Sequence, residues 1–332
     1  MSDAFRHVDS DRTIVFGSGA LAESADLIGS DYVLLTTPRA ASAAPDLAEQ
    51  ARTVVEVPAG HVDAVSAQLR EAVVGRRLIA LGGGRVIDVA KALAAADPPR
   101  EVVAIPTSLS GAEMTRVHRH AEGVAQNTPR VQPAVVINDP ALSASQPPDA
   151  LAASSANALG HAITALFSDR GTPISRAVAR EAIQHLVTGW SGTEPERAAI
   201  ALGALLAGWA VDHSGLGPHH ALAQTAVRIA SLKHAETNAA LLPATTSATR
   251  SRRPVEFERL DASLGLALES VAERLRHRAR ADLAALVDDE NLLSRSVEAA
   301  AKRPELDRIA PAPDREEIRQ IYRTSTGTSS GH

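Results

Sequence analysis

Short apolar runs alternate with amphipathic stretches along the first half of the chain. The apolar runs are rich in Val, Ile and Leu and occupy residues 32–35, 53–57, 78–81, 102–105 and 134–137. Segments with helical periodicity separate the first four of them, at 40–51, 61–74 and 86–96. Buried strands that alternate with helices are typical of a parallel sheet covered on both faces. The pattern predicts an α/β domain with a parallel sheet, of the nucleotide-binding type, over residues 1–147.

The second half of the chain has a different pattern. After Pro147-Pro148, Ala- and Leu-rich helical periodicity continues to the end, with breaks predicted at 171–173, 192–195, 215–218 and Pro243. This pattern predicts an all-helical domain over residues 148–332. The tail from Thr324 to His332 is rich in Ser, Thr and Gly and is predicted to fray.

Composition restricts the classes of function. Aromatic residues make up only 2% of the chain, so the core must consist of Ala, Leu, Val and Ile. The net charge of -5 gives no reason to bind nucleic acid or an anionic membrane, and the arginine cluster at 250–253 is expected to be a solvated loop. The absence of cysteine excludes disulfides and thiolate metal sites. The polar start, Met1 to Arg12, and the lack of an apolar run of ~20 residues predict a cytoplasmic protein without a membrane span.

Three consecutive glycines, Gly82, Gly83 and Gly84, follow the third apolar run and precede a helix. Glycines at such a junction let the backbone approach a pyrophosphate, and the helix N-terminus offers free N–H groups and a positive dipole end. The alternative interpretation is a tight strand-to-helix turn without a ligand. Asp88 and Lys91, on the first turns of the helix, are expected to face either the ligand or the solvent.

A hydroxyl-rich loop follows the next predicted strand. Thr107, Ser108 and Ser110 lie at the carboxyl end of that strand, where ligands bind in open α/β sheets. Their hydroxyls are suited to a ribose, a phosphate or a carboxamide. A structural role for the same loop is a helix start in which Ser110 is the N-cap and Glu113 completes a capping box. The two interpretations are compatible.

The first predicted strand ends in Thr36-Thr37-Pro38-Arg39. Dehydrogenases that prefer NAD often carry an acidic residue at such a strand end, where it binds the ribose hydroxyls. No acidic residue is present here, and Arg39, with Thr37 beside it, is suited to a 2′-phosphate. The sequence therefore predicts that NADPH is accepted at least as readily as NADH.

Four polar side chains in the helical half are candidates for the reaction centre. Asn157 and His161 are four residues apart, so on one helix they face the same side, while His220 and His234 lie on later helical segments. Imidazoles that converge from separate helices commonly bind zinc or ferrous iron. Without a metal, the same histidines can donate hydrogen bonds or, when protonated, bind a carboxylate.

The remaining histidines have weaker signals. His118 and His120 alternate with other residues on a predicted strand or hairpin and are expected to face the solvent. The roles of His213 and His219 are left open.

The motifs of the chain, taken in order, resemble those of the iron-containing alcohol dehydrogenase family, and most closely its maleylacetate reductase branch. The shared segments are Phe16-Gly17-Ser18-Gly19, Gly82-Gly83-Gly84-x-x-x-Asp88-x-Ala90-Lys91, Pro106-Thr107-Ser108-x-Ser110-Gly111-x-Glu113-Met114-Thr115, Val136-Ile137-x-Asp139-Pro140, Asn157-Ala158-x-x-His161-Ala162, His219-His220 and His234-Ala235-Glu236-Thr237. The resemblance implies a dehydroquinate synthase-like architecture, with a nucleotide-binding domain, a helical domain and a cleft between them. It also implies hydride transfer between NAD(H) or NADP(H) and a small carbonyl, carboxylate or enone substrate, in a homodimer.

One position of the family's metal site differs here. Metal-dependent members carry an Asp and a His four residues apart, then two histidines fourteen apart, and this chain keeps both spacings with Asn157 at the aspartate position. An amide lacks the negative charge of the carboxylate, although three imidazoles can still bind zinc. The maleylacetate reductases resemble the chain in having Asn there, which implies catalysis without a metal. His161, His220 and His234 are therefore candidate catalytic residues. They could also bind Fe or Zn, but the predicted mechanism does not require a metal.

Two further departures from the family pattern concern the cofactor and the proton. Arg85 follows the triple glycine where the family usually has Ser, which places a bulky cation beside the expected pyrophosphate, to clamp the phosphates or crowd them. Gln224 occupies the position of a histidine that is a candidate proton relay in many members, and an amide does not titrate. The proton must then come from His219, from another histidine of the cleft or from water.

Three alternatives to the reductase follow from the same motifs. The first is a metal-dependent alcohol dehydrogenase that uses Fe or Zn. The second is a cyclase or lyase of the dehydroquinate synthase type, although such enzymes typically place more lysines and arginines near the histidines. The third is a non-catalytic descendant, suggested by Arg85, Asn157 and Gln224 together.

Overall fold

The computed structural model of the chain describes residues 4–326. The chain divides into two compact units, Met1–Gln146 and Pro147–His332. Residues 327–332, which include most of the tail predicted to fray, lie outside the described residues.

The first unit alternates strands and helices around one sheet. Its strands are β1 (Phe5–Asp9), β2 (Arg12–Phe16), β3 (Val33–Thr36), β4 (Thr53–Glu56), β5 (Arg77–Gly82), β6 (Glu101–Pro106) and β7 (Val135–Asn138). Its helices are α1 (Ala25–Ile28), α2 (Pro38–Ala43), α3 (Pro45–Gln50), α4 (Val62–Leu69), α5 (Gly84–Ala96) and α6 (Pro140–Ser143), with short 3-10 helices at Ala22–Ser24 and Ala112–Met114. Among the described residues the strand order is β1-β2-β7-β6-β5-β3-β4.

The central strands β3, β5, β6 and β7 are apolar on both faces because both faces are covered. Val33 and Leu35 of β3 belong to one core cluster, together with Leu93 of α5. Leu34, between them, belongs to the opposite cluster, together with Leu47 of α3. The parallel pairing of β2 through β7 confirms the predicted parallel sheet.

The hairpin at one edge of the sheet was not predicted from the sequence. β1 pairs antiparallel with β2, and the chain turns at Ser10, whose φ is 61°. Residues 5–9 read Phe-Arg-His-Val-Asp, and the strand is largely exposed, so it lacks the continuous apolar run of a buried strand. The predicted helix at 40–51 is also wrong in detail, because it is split into α2 and α3, with Pro45 starting the second helix.

The order in which the chain adds strands to the sheet reverses between β3 and β5. From β3 the chain continues outward to β4, and from β5 it continues the other way to β6 and β7. Thr36 and Leu81 are register partners, so the carboxyl ends of β3 and β5 lie side by side. In open α/β sheets this reversal point is where ligands bind.

Helices are the only regular secondary structure among the described residues of the second unit, as predicted. Its helices are α7 (Pro148–Phe167), α8 (Pro173–Gly189), α9 (Arg197–Ser214), α10 (Pro218–Ala230), α11 (His234–Arg252), α12 (Pro254–Leu264), α13 (Leu268–Arg278), α14 (Ala284–Val287), α15 (Glu290–Ala300) and α16 (Arg315–Thr324), with a 3-10 helix at Pro304–Arg308. Helix α7 packs against α8, α9, α11 and α13 and is buried on every side from Leu151 to Phe167.

Helix α7 is long and apolar enough to cross a membrane by length and composition, but 94% of its most apolar window is buried inside the second unit. Helices α9 and α10 pass the same test only as a pair, and they are bent by 98°. An apolar composition on all sides is typical of a helix in the core of a helical domain.

The break predicted at Pro243 is wrong, because α11 continues through it. Proline removes one backbone hydrogen bond and crowds the preceding turn. The hydroxyls of Thr245 and Thr246 donate to the carbonyls of Leu241 and Leu242, at 2.9 and 2.7 Å, on the adjacent turns. Packing of α11 against α7 and α13 holds the helix together across the proline.

The arginine cluster at 250–253 is not a solvated loop, which corrects the expectation from the sequence. It lies at the end of α11, and its three arginines form ion pairs with residues of other helices and of the turn after α7. Arg250 pairs with Asp261 and Glu269, Arg252 pairs with Glu317, and Arg253 pairs with Asp169. These arginines therefore join the C-terminal helices to one another.

Candidate active site

The glycine turn joins β5 to α5 in the first unit. Gly83 is the N-cap of α5, and no side chain caps this end of the helix. The Val86 and Ile87 N–H groups donate to the Gly83 carbonyl at 3.0 and 3.3 Å, so the N–H groups of Gly84 and Arg85 are the ones without an acceptor in the helix or a side-chain acceptor at the cap. A Cβ on Gly83 would lie 3.0 Å from the Ser108 hydroxyl oxygen, and one on Gly84 would lie 2.9 Å from the Ser110 Cβ. The glycines are thus needed for the hydroxyl loop to approach the turn.

The hydroxyl loop after β6 is tied to this turn. The Thr107 N–H donates to the carbonyl of Gly82 at 2.9 Å, and the Ser110 hydroxyl accepts from the Ala112 N–H at 3.2 Å. Thr107, Ser108 and Ser110 are partly accessible to solvent. The capping box suggested for Ser110 and Glu113 is absent from the described loop, because Gly111 is the N-cap of the short helix and no side chain bonds there.

Lys91 holds the hydroxyl loop against α5. Its ammonium is fully buried and donates to the carbonyls of Ala112, Thr115 and Val117 at 2.8, 3.1 and 2.9 Å. It also forms an ion pair with Asp88, at 2.7 Å between Nζ and Oδ1. Lys91 therefore faces neither ligand nor solvent, and it is a positioning residue for the loop.

A second buried charged group, Glu113, lies in the same region, and its carboxyl lacks a hydrogen-bond partner on Oε2 among the described residues. Burial raises the pKa of Glu113 to about 7, although Lys91 and Arg12 oppose the shift. Arg12 is itself buried, donates to the Met114 carbonyl at 3.0 Å and pairs with Asp9. The sequence predicted only a capping role for Glu113, because the burial of its carboxyl depends on contacts with distant segments.

Thr37 and Arg39 follow β3, at the edge where β5 also ends. The Thr37 hydroxyl accepts from the Ala40 N–H at 3.4 Å and caps α2. Arg39 is exposed, and its guanidinium makes no hydrogen bond or ion pair with the described residues. Arg85, on the first turn of α5, is likewise exposed and without such a partner in residues 4–326. Both cations are available for an anionic group.

The polar cluster of the second unit forms where three helices meet. Asn157 and His161 lie one turn apart on α7, and His219 and His220 lie on the first turn of α10. These four side chains are buried. His234 is the first residue of α11, is exposed, and has its Nε2 3.2 Å from the amide nitrogen of Asn238.

The rings of His161 and His220 stack. Their centroids are 4.0 Å apart and their planes differ by 13°. The His220 Nε2 lies 3.1 Å from the Asn157 Oδ1, and because this oxygen can only accept, His220 carries its proton on Nε2. Asn157 thereby fixes the tautomer and orientation of His220.

His219, whose role was left open, belongs to the same cluster. Its ring lies edge-on to that of His220, with centroids 5.0 Å apart. Its Nδ1 donates to the Thr245 hydroxyl at 2.8 Å, since that hydroxyl gives its own proton to a backbone carbonyl of α11. A Cβ on Gly160 would lie 2.4 Å from the His219 Cδ2, so only glycine at 160 lets this ring pack against α7.

The buried histidines of the cluster are uncharged. Burial lowers the pKa of His161 and of His219 to about 3, and it lowers the pKa of His220 well below its ordinary value. The neighbouring imidazoles add to this effect, and His234 contributes to it for all three. The three rings are therefore neutral near pH 7, not cations ready to bind a carboxylate.

Each of the three buried rings keeps one nitrogen without a partner among the described residues. These atoms are the Nδ1 of His161, the Nε2 of His219 and the Nδ1 of His220. An unpaired buried polar atom costs about 1–3 kcal/mol, so three in one cluster are unusual in a folded domain. Such atoms indicate a site that a ligand completes.

The cluster does not fit the metal that its spacing suggests. A metal lies in the plane of an imidazole that binds it, and two rings stacked at 4.0 Å with nearly parallel planes do not share an in-plane ligand position. Asn157 supplies an amide in place of a carboxylate, and its oxygen already accepts from His220. Within residues 4–326, no group of three or more His, Cys, Asp and Glu is arranged to bind a metal ion.

Other polar residues singled out from the sequence lie elsewhere. Gln224, at the family's relay position, accepts from Arg303 at 3.0 Å. His213 is exposed and stacks on Trp209. The expectation that His118 and His120 face the solvent is wrong, because both are buried in an irregular segment of the first unit. The backbone N–H of Val131 donates to the His118 Nε2 at 3.1 Å, which holds that ring inside.

Both units match one family of known proteins. The model for iron-containing alcohol dehydrogenases matches residues 11–140, and the model for the C-terminal domain of the Fe-containing alcohol dehydrogenase family matches residues 151–323. These matches confirm the resemblance found in the motifs.

Individual relatives agree with the family models. The chain is 32% identical to a maleylacetate reductase of Sphingobium indicum over 76% of this chain and 77% of the relative. It is 31% identical to a maleylacetate reductase of a Rhizobium species, over 79% of this chain and 80% of that relative. Among solved structures, it resembles the maleylacetate reductase of Agrobacterium tumefaciens, with a TM-score of 0.81 and 27% identity over 98% of this chain and 99% of that one.

The packing of His219 against Gly160 gives a first prediction. Ala in place of Gly normally favours a helix by up to about 1 kcal/mol. Gly160→Ala is nevertheless expected to destabilise the protein by about 2 kcal/mol, because the new Cβ displaces the His219 ring. Denaturant unfolding measures the change. In a His219→Ala background the same substitution is expected to be neutral or stabilising, and an equal loss in both backgrounds would contradict the assignment.

The burial of Glu113 gives a pH-dependent prediction. Its pKa of about 7 lies above the ordinary 4.5, so the folded state holds this proton more tightly than the unfolded chain. The associated stability is complete below pH 4.5 and is lost as pH rises through about 7. Between pH 5 and 8, the free energy of unfolding of Glu113→Gln is expected to rise by up to about 3 kcal/mol relative to that of the unsubstituted chain. Exposed Glu23→Gln serves as the control, and a Glu113→Gln difference that stays constant with pH would refute the prediction.

Proposed function

The chain belongs to the iron-containing alcohol dehydrogenase family and is an oxidoreductase, and we propose that it transfers hydride from a nicotinamide cofactor to a carbonyl or enone of the maleylacetate type. The observation that carries this proposal is the buried cluster of uncharged histidines with unpaired ring nitrogens. In this proposal His161, His220, His234 and Asn157 form the catalytic group. The relatives named maleylacetate reductases favour a reductase over the cyclase alternative.

We propose that the first unit binds NAD(H) or NADP(H) at the edge where β3 and β5 end. Residues suited to the cofactor are Gly82, Gly83, Gly84, Asp88, Thr107, Ser108, Ser110, Thr37 and Arg39. The uncapped N-terminus of α5 and the close approach of the hydroxyl loop suit a pyrophosphate. The bound nicotinamide would supply the hydride. Arg85, exposed on the first turn of α5, adds a positive charge beside the phosphates.

In an enone, hydride addition at the β-carbon places negative charge on the carbonyl oxygen as an enolate, which then takes a proton at the α-carbon. Stabilising the enolate requires hydrogen-bond donors. His219 and His220 each have one N–H committed, to Thr245 and Asn157. The tautomer of His161 is not fixed by a partner at Nδ1 in the described part of the chain, so His161 is the ring able to present an N–H to the oxygen.

The charge of the substrate bears on the source of the proton. A dicarboxylate brings negative charge beside rings that are neutral in the free protein, and that charge raises the pKa of a nearby imidazole. Binding of substrate would then draw a proton into the cluster, where His161 or a water delivers it. This route does not require the titratable group that Gln224 replaces.

We propose that the metal is not required, since the stacked rings and Asn157 do not suit Fe or Zn. Residues 1–147 would bind the cofactor, and residues 148–332 the small-molecule substrate. A homodimeric, cytoplasmic enzyme that binds neither nucleic acid nor membrane remains the prediction from the sequence.

The experiment is oxidation of NADPH or NADH, followed by absorbance, with maleylacetate and a panel of aldehydes and ketones. Activity with maleylacetate is expected to survive EDTA. His161→Gln is expected to lower kcat by about 10²-fold or more, with the KM for the cofactor unchanged. His213→Gln, outside the cluster, is the matched control. No cofactor oxidation with any substrate would defeat the proposal, and loss of activity in EDTA would defeat its metal-free form.

The cofactor preference follows from Arg39. NADPH is expected to bind at least as tightly as NADH, because Arg39, which has no partner among the described residues, follows β3 and the strand itself carries no acidic residue. Glu56, the register partner of Thr36, belongs to the neighbouring strand β4. Arg39→Ala should weaken NADPH binding about tenfold, equal to about 1.4 kcal/mol, and leave NADH binding unchanged. Arg76→Ala, at the opposite end of the strands, is the control. A strong preference for NADH would contradict the assignment.

A further inference from the structure

The second unit contains a cavity of about 350 Å³ that is lined by four arginines. Arg176 and Arg180 come from α8, Arg253 is the N-cap of α12, and Arg259 lies on α12. Apolar side chains from the end of α7 and from α12 form the rest of its wall, and Glu256 is the single carboxylate among the described residues that line it. No residue of the cavity belongs to the histidine cluster.

Two of the four arginines are held in place by the protein. Arg253 pairs with Asp169 at 2.7 Å and donates to the carbonyl of Ala310 at 3.0 Å. Arg176 donates to the carbonyl of Ser168 at 3.0 Å. Both guanidiniums are therefore fixed by the turn that follows α7, before any ligand binds.

The other two arginines have no such role. Arg180 and Arg259 are exposed, and neither makes a hydrogen bond or an ion pair with the rest of residues 4–326. Arg176 and Arg180 are four apart on one helix, where like charges destabilise the helix slightly. Even with Asp169 and Glu256 counted against the four arginines, the cavity keeps a surplus of positive charge in a chain whose net charge is -5.

We propose that this cavity is a binding site for a small phosphorylated anion. Its volume is within the range of small-molecule pockets. The guanidiniums reach the cavity from two helices, α8 and α12. An anion that accepts hydrogen bonds from both sides must have oxygens that point in several directions. A phosphoryl group has three such oxygens and a charge near −2. A single carboxylate has two oxygens in one plane and can accept hydrogen bonds from the arginines of only one of the two helices. The site is independent of the proposed reductase activity.

The probe is inorganic pyrophosphate, titrated by calorimetry at constant ionic strength into the full-length chain and two double variants. Arg180→Gln with Arg259→Gln removes the two unpaired cations of the cavity. Arg280→Gln with Arg295→Gln removes two exposed arginines of the same unit that lie outside it. The first pair is expected to weaken one binding event at least tenfold, and the control pair to leave it unchanged. Any binding of pyrophosphate at the glycine turn would persist in both variants, which distinguishes it from binding in the arginine cavity.

Three results would overturn the proposal. The first is the absence of a binding event that the cavity variant weakens. The second is an equal loss in the control variant, which would mean non-specific attraction to positive charge. The third is succinate binding as tightly as pyrophosphate at matched ionic strength, which would replace the phosphoryl assignment by a dicarboxylate one. Thermal unfolding of each variant verifies that it is folded, and a folded cavity variant that binds pyrophosphate normally counts against the site.

Discussion

Burial of α7 is the constraint on which the second unit depends. The helix is enclosed by its neighbours from Leu151 to Phe167, so its polar side chains cannot reach bulk water along its length. Buried polar groups must find partners or destabilise the fold. Asn157 finds its partner on α10, where His220 donates to the amide oxygen; the same ring stacks on His161, whose Nδ1 has no partner among the described residues. Gly160 makes room for this arrangement, because α10 can approach only where α7 has no side chain.

The first unit is organised by a different buried group. Three backbone carbonyls of the segment after β6 converge on the Lys91 ammonium, which has no access to water. Thr115 and Val117 lie outside regular secondary structure, so the lysine replaces the hydrogen bonds that a regular element would give their carbonyls. Because Lys91 lies on α5, the hydroxyl loop and the glycine turn at the start of that helix form one rigid part. The nucleotide site that we propose at these two segments would then be shaped before a ligand binds.

Much of this fold was predictable because burial on both faces leaves continuous apolar runs, as in β3, β5 and β6. The β1–β2 hairpin was missed because its first strand is exposed and polar. The helix through Pro243, the inward-facing His118 and the burial of Glu113 depend on contacts between distant segments, which no local pattern contains. The spacing of Asn157, His161, His220 and His234 predicted that the four side chains converge; the structure brings the first three into contact, while His234 is exposed beside Asn238. No spacing could predict that two of the rings stack. His219 had only its neighbour His220 as a signal.

Electrostatics connects the amide at position 157 to the chemistry proposed here. A carboxylate at 157 would be buried beside rings whose pKa values are already lowered by burial, and it would need a compensating cation. A metal provides that cation in a site with an aspartate. With Asn157 the cluster is neutral without a metal, and its amide satisfies His220 at no cost in charge. In the proposed reaction a dicarboxylate substrate would enter a site that neither repels it nor attracts it strongly, and the charge of the substrate would recruit the proton. The amide at position 157 and the proposed metal-free mechanism would then be two consequences of one charge balance.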